Sequence, residues 1–549
     1  MKQKPILLLI LFLSINCMGW SQLTWLKWDT ETLGYHAIQV NPADHTIIPW
    51  YNENPGRSYD FVINKIWDFW AGMRTDQNGL PYYMNHQVWR PGYNDRRGIG
   101  GDQLAMALSS WQLYYNYSGN EQVKENMKFI ADYYLSHALS PADAEWPNIP
   151  YPYNCLIYSG IYDGDMVIGK HYTQPDKAGS FGFELTKLYK MTGSQVYLDY
   201  AVNIANTLAA HTKKGDNDNS PMPFKVNAIT GETGKLKSNR GDRSDAGLSS
   251  YTTNYSGTLE LFLNLEKLNA GNVQAYKKAF DTILFWMKQY PLKTNKWGPF
   301  FEDIPGWSDT QINAVTFAQF MMNNPEYFPE WKKEVAGIFD WVYETVGNKE
   351  WQEFGVTVIN EQTVYQTPGN SHTSRQASAE LQYAALTGDT TRVKNAILQL
   401  NWATYMVNSD GRNCYPRDEV WLTDGFGDYV RHYIRAMAHH PEIAPETENH
   451  ILSSTSILQM ASYPPEINKI LSGDVPEKWV DQTLLFYKTF DNKSSEVIRL
   501  TQKPSAVLLW LKEIPEGKHG ADYWTWQPMK QGGLLTIHHT SGNHVVILK

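Results

Sequence analysis

From residue 60 onward, apolar side chains return every three or four positions, as in Phe61, Ile63, Ile66, Trp67 and Trp70. Such spacing lays them along one face of an α-helix. The same count predicts helices near 60–73, 102–117, 120–138, 177–192, 195–213, 251–269, 272–290, 310–323, 328–347, 371–387, 390–408 and 424–438. They join in pairs through short connections that look alike: Tyr117-Ser118-Gly119-Asn120, Met191-Thr192-Gly193-Ser194, Asn269-Ala270-Gly271-Asn272, Asn323-Asn324-Pro325-Glu326 and Leu386-Thr387-Gly388-Asp389. In the four glycine versions the Gly can supply a left-handed helix stop, and the polar residue after it can cap the next helix. A repeated helical hairpin is the result.

The other connections, 74–101, 139–176, 214–250, 291–309, 348–370 and 409–423, are long and rich in Gly, Pro, Asn, Asp, Arg and Trp. Because short and long connections alternate, all the long ones lie at one end of the array, and loops of that length in a compact domain carry function. Six hairpins of alternating inner and outer helices make a mainly α fold, an (α/α)6 toroid whose cavity opens at the long-loop end. The helices entered from long loops start there. Their first turns bring in Asp102, Asp176 with Lys177, Asn254 with Tyr255, Asp309 with Gln311 and Asn313, His372 with Arg375, and Asp424 with Asp428.

After about residue 446 the pattern shortens to β-rich segments such as Gln482–Lys488, Ser494–Leu500, Ala506–Leu511, Leu534–His538 and His544–Leu548, set apart by Gly, Pro and Asn. They predict a small C-terminal antiparallel β-domain over 446–549, behind a toroid over 60–445. Residues 22–59 read as an irregular N-terminal arm. The first 21 residues carry Lys2 and Lys4, an apolar run from Ile6 to Leu13, and Gly19-Trp20-Ser21, the pattern of a secretory signal peptide. That run is too short to span a bilayer, and no later stretch reaches the length a span requires. Export to the periplasm or medium is the expectation. Lipid anchoring through Cys17 is the less favoured rival, since Asn16 suits it poorly.

Composition narrows the function. A net charge of −9 argues against a nucleic-acid partner. The 21 Trp and 34 Tyr suit sugar recognition, because flat rings cover the apolar faces of pyranoses, and Trp307 and Trp421 offer such rings in long loops. Past the leader only Cys155 and Cys414 remain, too few for a disulfide framework, and whether they bridge is open. Against the acidic background, Arg74, Arg90, Arg96, Arg97, Arg240, Arg243, Arg412 and Arg417 collect in the long loops, and Arg375 adds a helix start. Guanidinium groups grip carboxylate or sulfate in bidentate fashion, and inward helix N-termini favour anions as well. An anionic oligosaccharide is therefore the expected ligand, with Arg97, Arg243 and Arg417 among its contacts. The competing reading pairs these arginines with nearby aspartates, as Arg243 with Asp245.

Acid–base chemistry is what the remaining residue types can supply. His171 lies in the longest loop, and His372 and Arg375 sit one turn apart at a helix start where Ser371 or Asn370 can cap. Asn254 and Tyr255 together can neutralise a carboxylate and exchange a proton. Asp176 follows Pro175 at a helix start, where Asp is an ordinary cap; Asp102, Asp309 and Asp424 share that reading. Asp216-Asn217-Asp218 resembles a fragment of a calcium loop but lacks its other ligands, so no metal is expected. No nucleophile elbow, phosphate loop, zinc motif or dinucleotide fingerprint occurs, and no cofactor is implied.

The hairpin from Asp176 through Leu185-Thr186-Lys187-Leu188-Tyr189-Lys190-Met191-Thr192-Gly193 to Asp199 resembles those of the six-hairpin (α/α)6 enzymes secreted by polysaccharide-degrading bacteria. The likeness covers that hairpin closely and residues 60–440 only as architecture. Two groups compete. Unsaturated glucuronyl hydrolases use an Asp at an inner-helix start as acid, a place that Asp176 and Asp102 occupy, but this chain adds a β-domain and lacks an evident paired-Asp motif. Toroid-plus-β polysaccharide lyases and uronate-oligosaccharide dehydratases of ulvan-type degradation are closer in layout. They remove the proton beside a carboxylate and expel the group at C4. The resemblance implies His372, Tyr255 or His171 as base, with Arg375 and Asn254 offsetting the carboxylate. A glycan-binding toroid without chemistry is the third reading.

Overall fold

The computed structural model describes residues 32–85, 101–152, 160–165, 168–236, 247–301, 307–414, 416, 423–464 and 482–549, with backbone alone at 101–104, 165 and 423–427. Among these residues twelve helices have twelve or more residues. They are α1 (Pro55–Ala71), α2 (Gly101–Ser118), α3 (Glu121–His137), α4 (Pro175–Thr192), α5 (Gln195–His211), α6 (Ser256–Leu268), α7 (Val273–Gln289), α8 (Gln311–Asn323), α9 (Trp331–Val346), α10 (Asn370–Thr387), α11 (Val393–Thr404) and α12 (Thr423–His439). The even-numbered helices form a closed inner ring: α2 packs on α4, α4 on α6, α6 meets α8, α8 meets α10, α10 packs on α12, and α12 returns to α2. The odd-numbered helices form the outer layer, α1 against α12 and each of the others against its hairpin partner. This is the (α/α)6 toroid.

The helix stops follow local chemistry, with some exchange of roles. Gly193 and Gly388 end α4 and α10 at φ 75° and 79°, whereas α6 is ended by Asn269 at φ 50° and not by Gly271. Asn120 and Asn272 cap α3 and α7 through side-chain acceptors, and Asn54 caps α1, which therefore starts at Pro55, earlier than the apolar pattern alone indicates. Two inner helices touch closely because both lack side chains at the crossing. A Cβ on Gly179 of α4 would lie 1.9 Å from Thr258 Oγ1 of α6, and one on Gly257 would lie 2.3 Å from Ser180 Oγ. That approach brings the first turn of α4 against the residues that lead into α6.

The C-terminal strands are β1 (His450–Ser454), β2 (Leu458–Ser462), β3 (Thr483–Thr489), β4 (Ser494–Leu500), β5 (Ala506–Leu509), β6 (Lys512–Ile514), β7 (Tyr523–Pro528), β8 (Gly533–His539) and β9 (His544–Leu548). They make two antiparallel sheets, ordered β2-β3-β9-β5-β6 and β7-β8-β4-β1. Alternate residues such as Ile498, Leu535, Ile537, Leu485 and Ile547 are fully buried, as period-two strands with one inward face require. The sheets rest on the short-turn end of the toroid. Tyr463 donates to the Asn116 carbonyl at 2.7 Å, Lys124 to the Gln459 carbonyl at 3.3 Å and Gln459 to the Lys190 carbonyl at 3.1 Å. The long-loop end is left to the inner-helix starts.

Candidate active site

Side-chain hydrogen bonds link the starts of five consecutive inner helices. Asp176, in the first turn of α4, accepts from Asn254 Nδ2 at 3.1 Å and Thr252 Oγ1 at 3.3 Å, both just before α6. Thr252 also approaches the Pro299 carbonyl, which accepts from Asn313 Nδ2 of α8 at 3.2 Å. Gln311 of α8 accepts from Arg375 Nη1 of α10 at 3.4 Å, and Arg375 Nη2 pairs with Asp428 Oδ2 of α12. Every member is buried: Asp176 and Gln311 are 0% exposed, Arg375 1% and Asp428 3%. Burying so many polar groups in one layer is costly unless they are paired or await a ligand.

The cap predictions for this layer are corrected by the geometry. Gln174 stands at the N-cap of α4 with no side-chain bond, and the Asp176 carboxylate reaches across to the neighbouring helix. Gly369 stands at the N-cap of α10; neither Asn370 nor Ser371 caps it, and the Asn370 amide donates to Asn413 Oδ1 at 2.6 Å. Asp309 accepts from Trp297 N and Trp307 Nε1, while Thr310 caps α8.

The electrostatic centre is Asp428. Its Oδ2 holds Arg375, its Oδ1 holds Arg431 one turn on, and His432 Nε2 lies 3.3 Å from Oδ1. Burial opposes ionisation, yet the two guanidiniums hold the Asp428 carboxyl well below its ordinary value. Among the described residues, two cations facing one anion leave a surplus positive charge in a buried place. His372 lies beside them, its ring 6.1 Å from Phe301. Among the described residues neither of its nitrogens has a hydrogen-bond partner, and burial together with Arg375 pushes the imidazole down to about 3. It is therefore neutral at physiological pH, with a lone pair to offer. From Arg375 a chain of bonds runs inward through Gln311 and Gln376 to Glu380, which Tyr343 also holds. Burial pushes Glu380 up to about 7.

Other predicted residues fall elsewhere or are already engaged. The Tyr255 hydroxyl donates to the Met222 carbonyl at 2.7 Å and accepts from Met222 N at 3.0 Å, so both sides of the oxygen are used in clasping a loop. His171 occupies a left-handed turn at φ 64°, with its N–H on Asp163 O and its carbonyl on Ala228 N; its Nδ1 is buried without a partner. No contact among the described residues joins it to the His372 cluster. Trp307 stands edge-on to Tyr251 at 5.3 Å, with Lys296 Nζ 4.7 Å above its ring. Of the loop arginines, Arg412 pairs with Asp410 and Arg74 stacks on Tyr82, the local pairing that competes with ligand binding. Arg90, Arg96, Arg97, Arg240, Arg243, Arg417, Trp421 and Cys155 lie outside the described residues, as do the side chains of Asp102 and Asp424; Cys414 is buried. Arg431 and His432 were not singled out by motif. Their spacing from Asp428, three and four residues, puts all three on one helical face and is the signal that finds them.

The same fold is found in solved structures. A sugar epimerase from a ruminal bacterium aligns with a TM-score of 0.51 at 12% identity, over 69% of this chain and 98% of its own. D-mannose isomerase gives 0.52 at 10%, over 73% and 99%. Cellobiose 2-epimerase from Spirochaeta thermophila gives 0.50 at 12%, over 71% and 96%. At such identities the likeness is one of fold. No protein-family model and no curated protein matches the chain.

Proposed function

We propose that this protein is an exported carbohydrate-active lyase that eliminates at a uronic acid residue of acidic, ulvan-like oligosaccharides. One observation carries the reading: among the described residues, a neutral, unpartnered histidine lies beside a buried cluster with surplus positive charge. The proton at C5 of a uronate is weakly acidic, and removing it places negative charge on the adjoining carboxylate. Cations fixed where that charge develops stabilise it strongly in a water-poor site. Arg375 and Arg431 answer this need, with the inner-helix N-termini beside them.

In this reading the uronate carboxylate settles against the Arg375–Asp428–Arg431 cluster and offsets its surplus charge. His372, relieved of that repulsion, becomes more basic and takes the C5 proton. The C5–H electron pair forms the C4–C5 double bond as the C4–O bond breaks, and the imidazolium returns its proton to the departing oxygen. The products are an unsaturated uronate and either an alcohol end of the remaining sugar or water, for lyase or dehydratase action respectively. Asp176 and Asn254 lie along the same layer and would contact the neighbouring sugar.

A second reading, hydrolysis of the unsaturated glucuronyl type, is favoured by one fact: the Asp176 carboxylate is aimed across the ring and does not cap its own helix. Near-ultraviolet absorbance of a uronate oligosaccharide separates the readings. Elimination makes it rise, because the new double bond is conjugated with the carboxylate. A fall indicates hydrolysis of an unsaturated end, new reducing ends without absorbance change indicate ordinary hydrolysis, and an altered sugar without either indicates epimerisation. Binding with no product contradicts every enzymatic reading.

A further inference from the structure

Behind the cavity wall, α7 and the loop after α5 line an open groove of about 610 Å³ on the outside of the toroid. Gln274, Lys278, Asp281 and Phe285 recur along α7 at three- and four-residue steps and so form a stripe along one face of the helix. Lys277 flanks the stripe, and Lys214 closes the groove from the loop. None of the three lysines has an ion-pair partner among the described residues, and Asp281 is the single carboxylate in the lining. Phe285 is 56% exposed, although an aromatic ring of that size is normally withdrawn from water.

The groove is built and not incidental. Trp286, next to Phe285, is buried and donates from Nε1 to the Asp216 carbonyl at 2.8 Å, which straps the Lys214 loop to α7. Gly215 sits so tightly against that indole that a Cβ would lie 2.5 Å from Trp286 Cδ1. The other side of Trp286 meets Tyr251 and Tyr255, at 5.1 and 6.0 Å between ring centres, just ahead of the α6 start. The groove is thus one side chain away from the residues that lead into the candidate site. It runs along α7 from Gln274 in the first turn to Trp286, and its Lys214–Phe285 end lies toward the long-loop end.

We propose that this groove is a second binding site, for a stretch of acidic polysaccharide. Three unpaired ammonium groups supply charge complementarity, in a protein whose net charge of −9 would otherwise repel a polyanion. Phe285 supplies the flat apolar face on which a pyranose ring stacks. The site holds the polymer along the outer wall, with one end of the groove toward the mouth, and raises its local concentration on the protein. The acidic nature of the glycan rests on the proposed substrate class; the groove itself does not.

Affinity electrophoresis through gels containing polygalacturonate or neutral dextran tests it, with Lys277→Gln, Lys278→Gln and Phe285→Ala combined, all at exposed positions. The native protein is expected to be retarded by polygalacturonate and not by dextran. The triple variant should bind polygalacturonate about tenfold more weakly or worse, while its melting temperature and its turnover of a short uronate oligosaccharide stay unchanged. Equal retardation of variant and native protein, or equal retardation by dextran, overturns the proposal. Should the triple variant melt early, Phe285→Ala alone decides by the same readout. Retardation needs no turnover, so an inactive but retarded protein sinks the lyase reading alone, and an active but unretarded one sinks the groove alone.

Discussion

Two buried charge clusters, one at the toroid mouth and one inside the β-domain, use similar residues to opposite ends. In the β-domain Glu496 accepts from Tyr487 at 2.8 Å and from Ser454 at 2.9 Å, is bonded to Ser494, and lies 3.2 Å from His539 Nε2. His539 Nδ1 is met by the Asn492 carbonyl at 2.9 Å. Three hydroxyls and one imidazole thus converge on a single carboxylate, and although His539 Nε2 lacks a hydrogen bond of good geometry it lies within ion-pair distance of Glu496. At the mouth, Asp428 faces two guanidiniums, and neither nitrogen of the His372 ring has a hydrogen-bond partner among the described residues. The difference teaches that burial and charge do not by themselves mark chemistry. What sets the mouth apart is an imidazole with neither nitrogen bonded among the described residues, next to two guanidiniums that share one carboxylate, and on that our proposal of chemistry there rests.

Breaking each cluster should expose that difference. Asp428→Ala leaves two buried cations uncompensated and is expected to cost about 3–5 kcal/mol of stability and to abolish turnover. Glu496→Ala should cost a similar amount, measured by denaturant unfolding, yet leave the rate per folded molecule intact. Loss of turnover in folded Glu496→Ala would erase the contrast.

Acidity sharpens it. Burial and Arg375 lower His372 in the folded state to about 3, from 6.5 in the unfolded chain, so its contribution to stability is lost as pH falls from 6.5 toward 3. His539 behaves oppositely. Burial opposes its charge, but Glu496 raises it above 6.5, so its contribution is complete below 6.5 and is lost as pH rises through the folded value. Melting curves against pH should therefore show His372→Leu relieving acid sensitivity and Glu496→Gln relieving alkaline sensitivity. Glu380 is intermediate in place and effect. Burial raises it to about 7, so its contribution is full below 4.5 and lost as pH rises through 7. Glu380→Gln should raise stability by about 1–3 kcal/mol at pH 8 and little at pH 4. The smallest effect is expected of Tyr255→Phe. Losing the Met222 clasp should cost about 1 kcal/mol and change turnover only a few-fold, whereas a catalytic hydroxyl would cost far more.

How much of this was legible in the chain depends on how local each cause is. Helix period and loop length are local, and the alternation of short and long connections was enough for the toroid. It was also enough to bring Asp176, Gln311, His372 and Arg375 to one end. Caps are harder, because the same carboxylate or amide can bond its own helix or a neighbour. At Asp176 and Asn370 the neighbour won, through contacts with Asn254 and Asn413 that no local pattern encodes. Tyr255 illustrates the reverse: it lies in the right place, but its hydroxyl is consumed by a loop 33 residues away in sequence. In the β-domain the Val- and Ile-rich strands were readable, whereas Ser-rich β1 and the short β6 were found only through their partners.

The most direct test is the initial rate of near-ultraviolet absorbance change on a uronate oligosaccharide, compared between the native protein and His372→Ala, with melting temperature followed in parallel. Because neither ring nitrogen has a partner among the described residues, the substitution should leave the fold intact while lowering the rate roughly 10²–10⁴-fold. A His372→Ala protein that folds and works within a few-fold of the native rate would contradict the account.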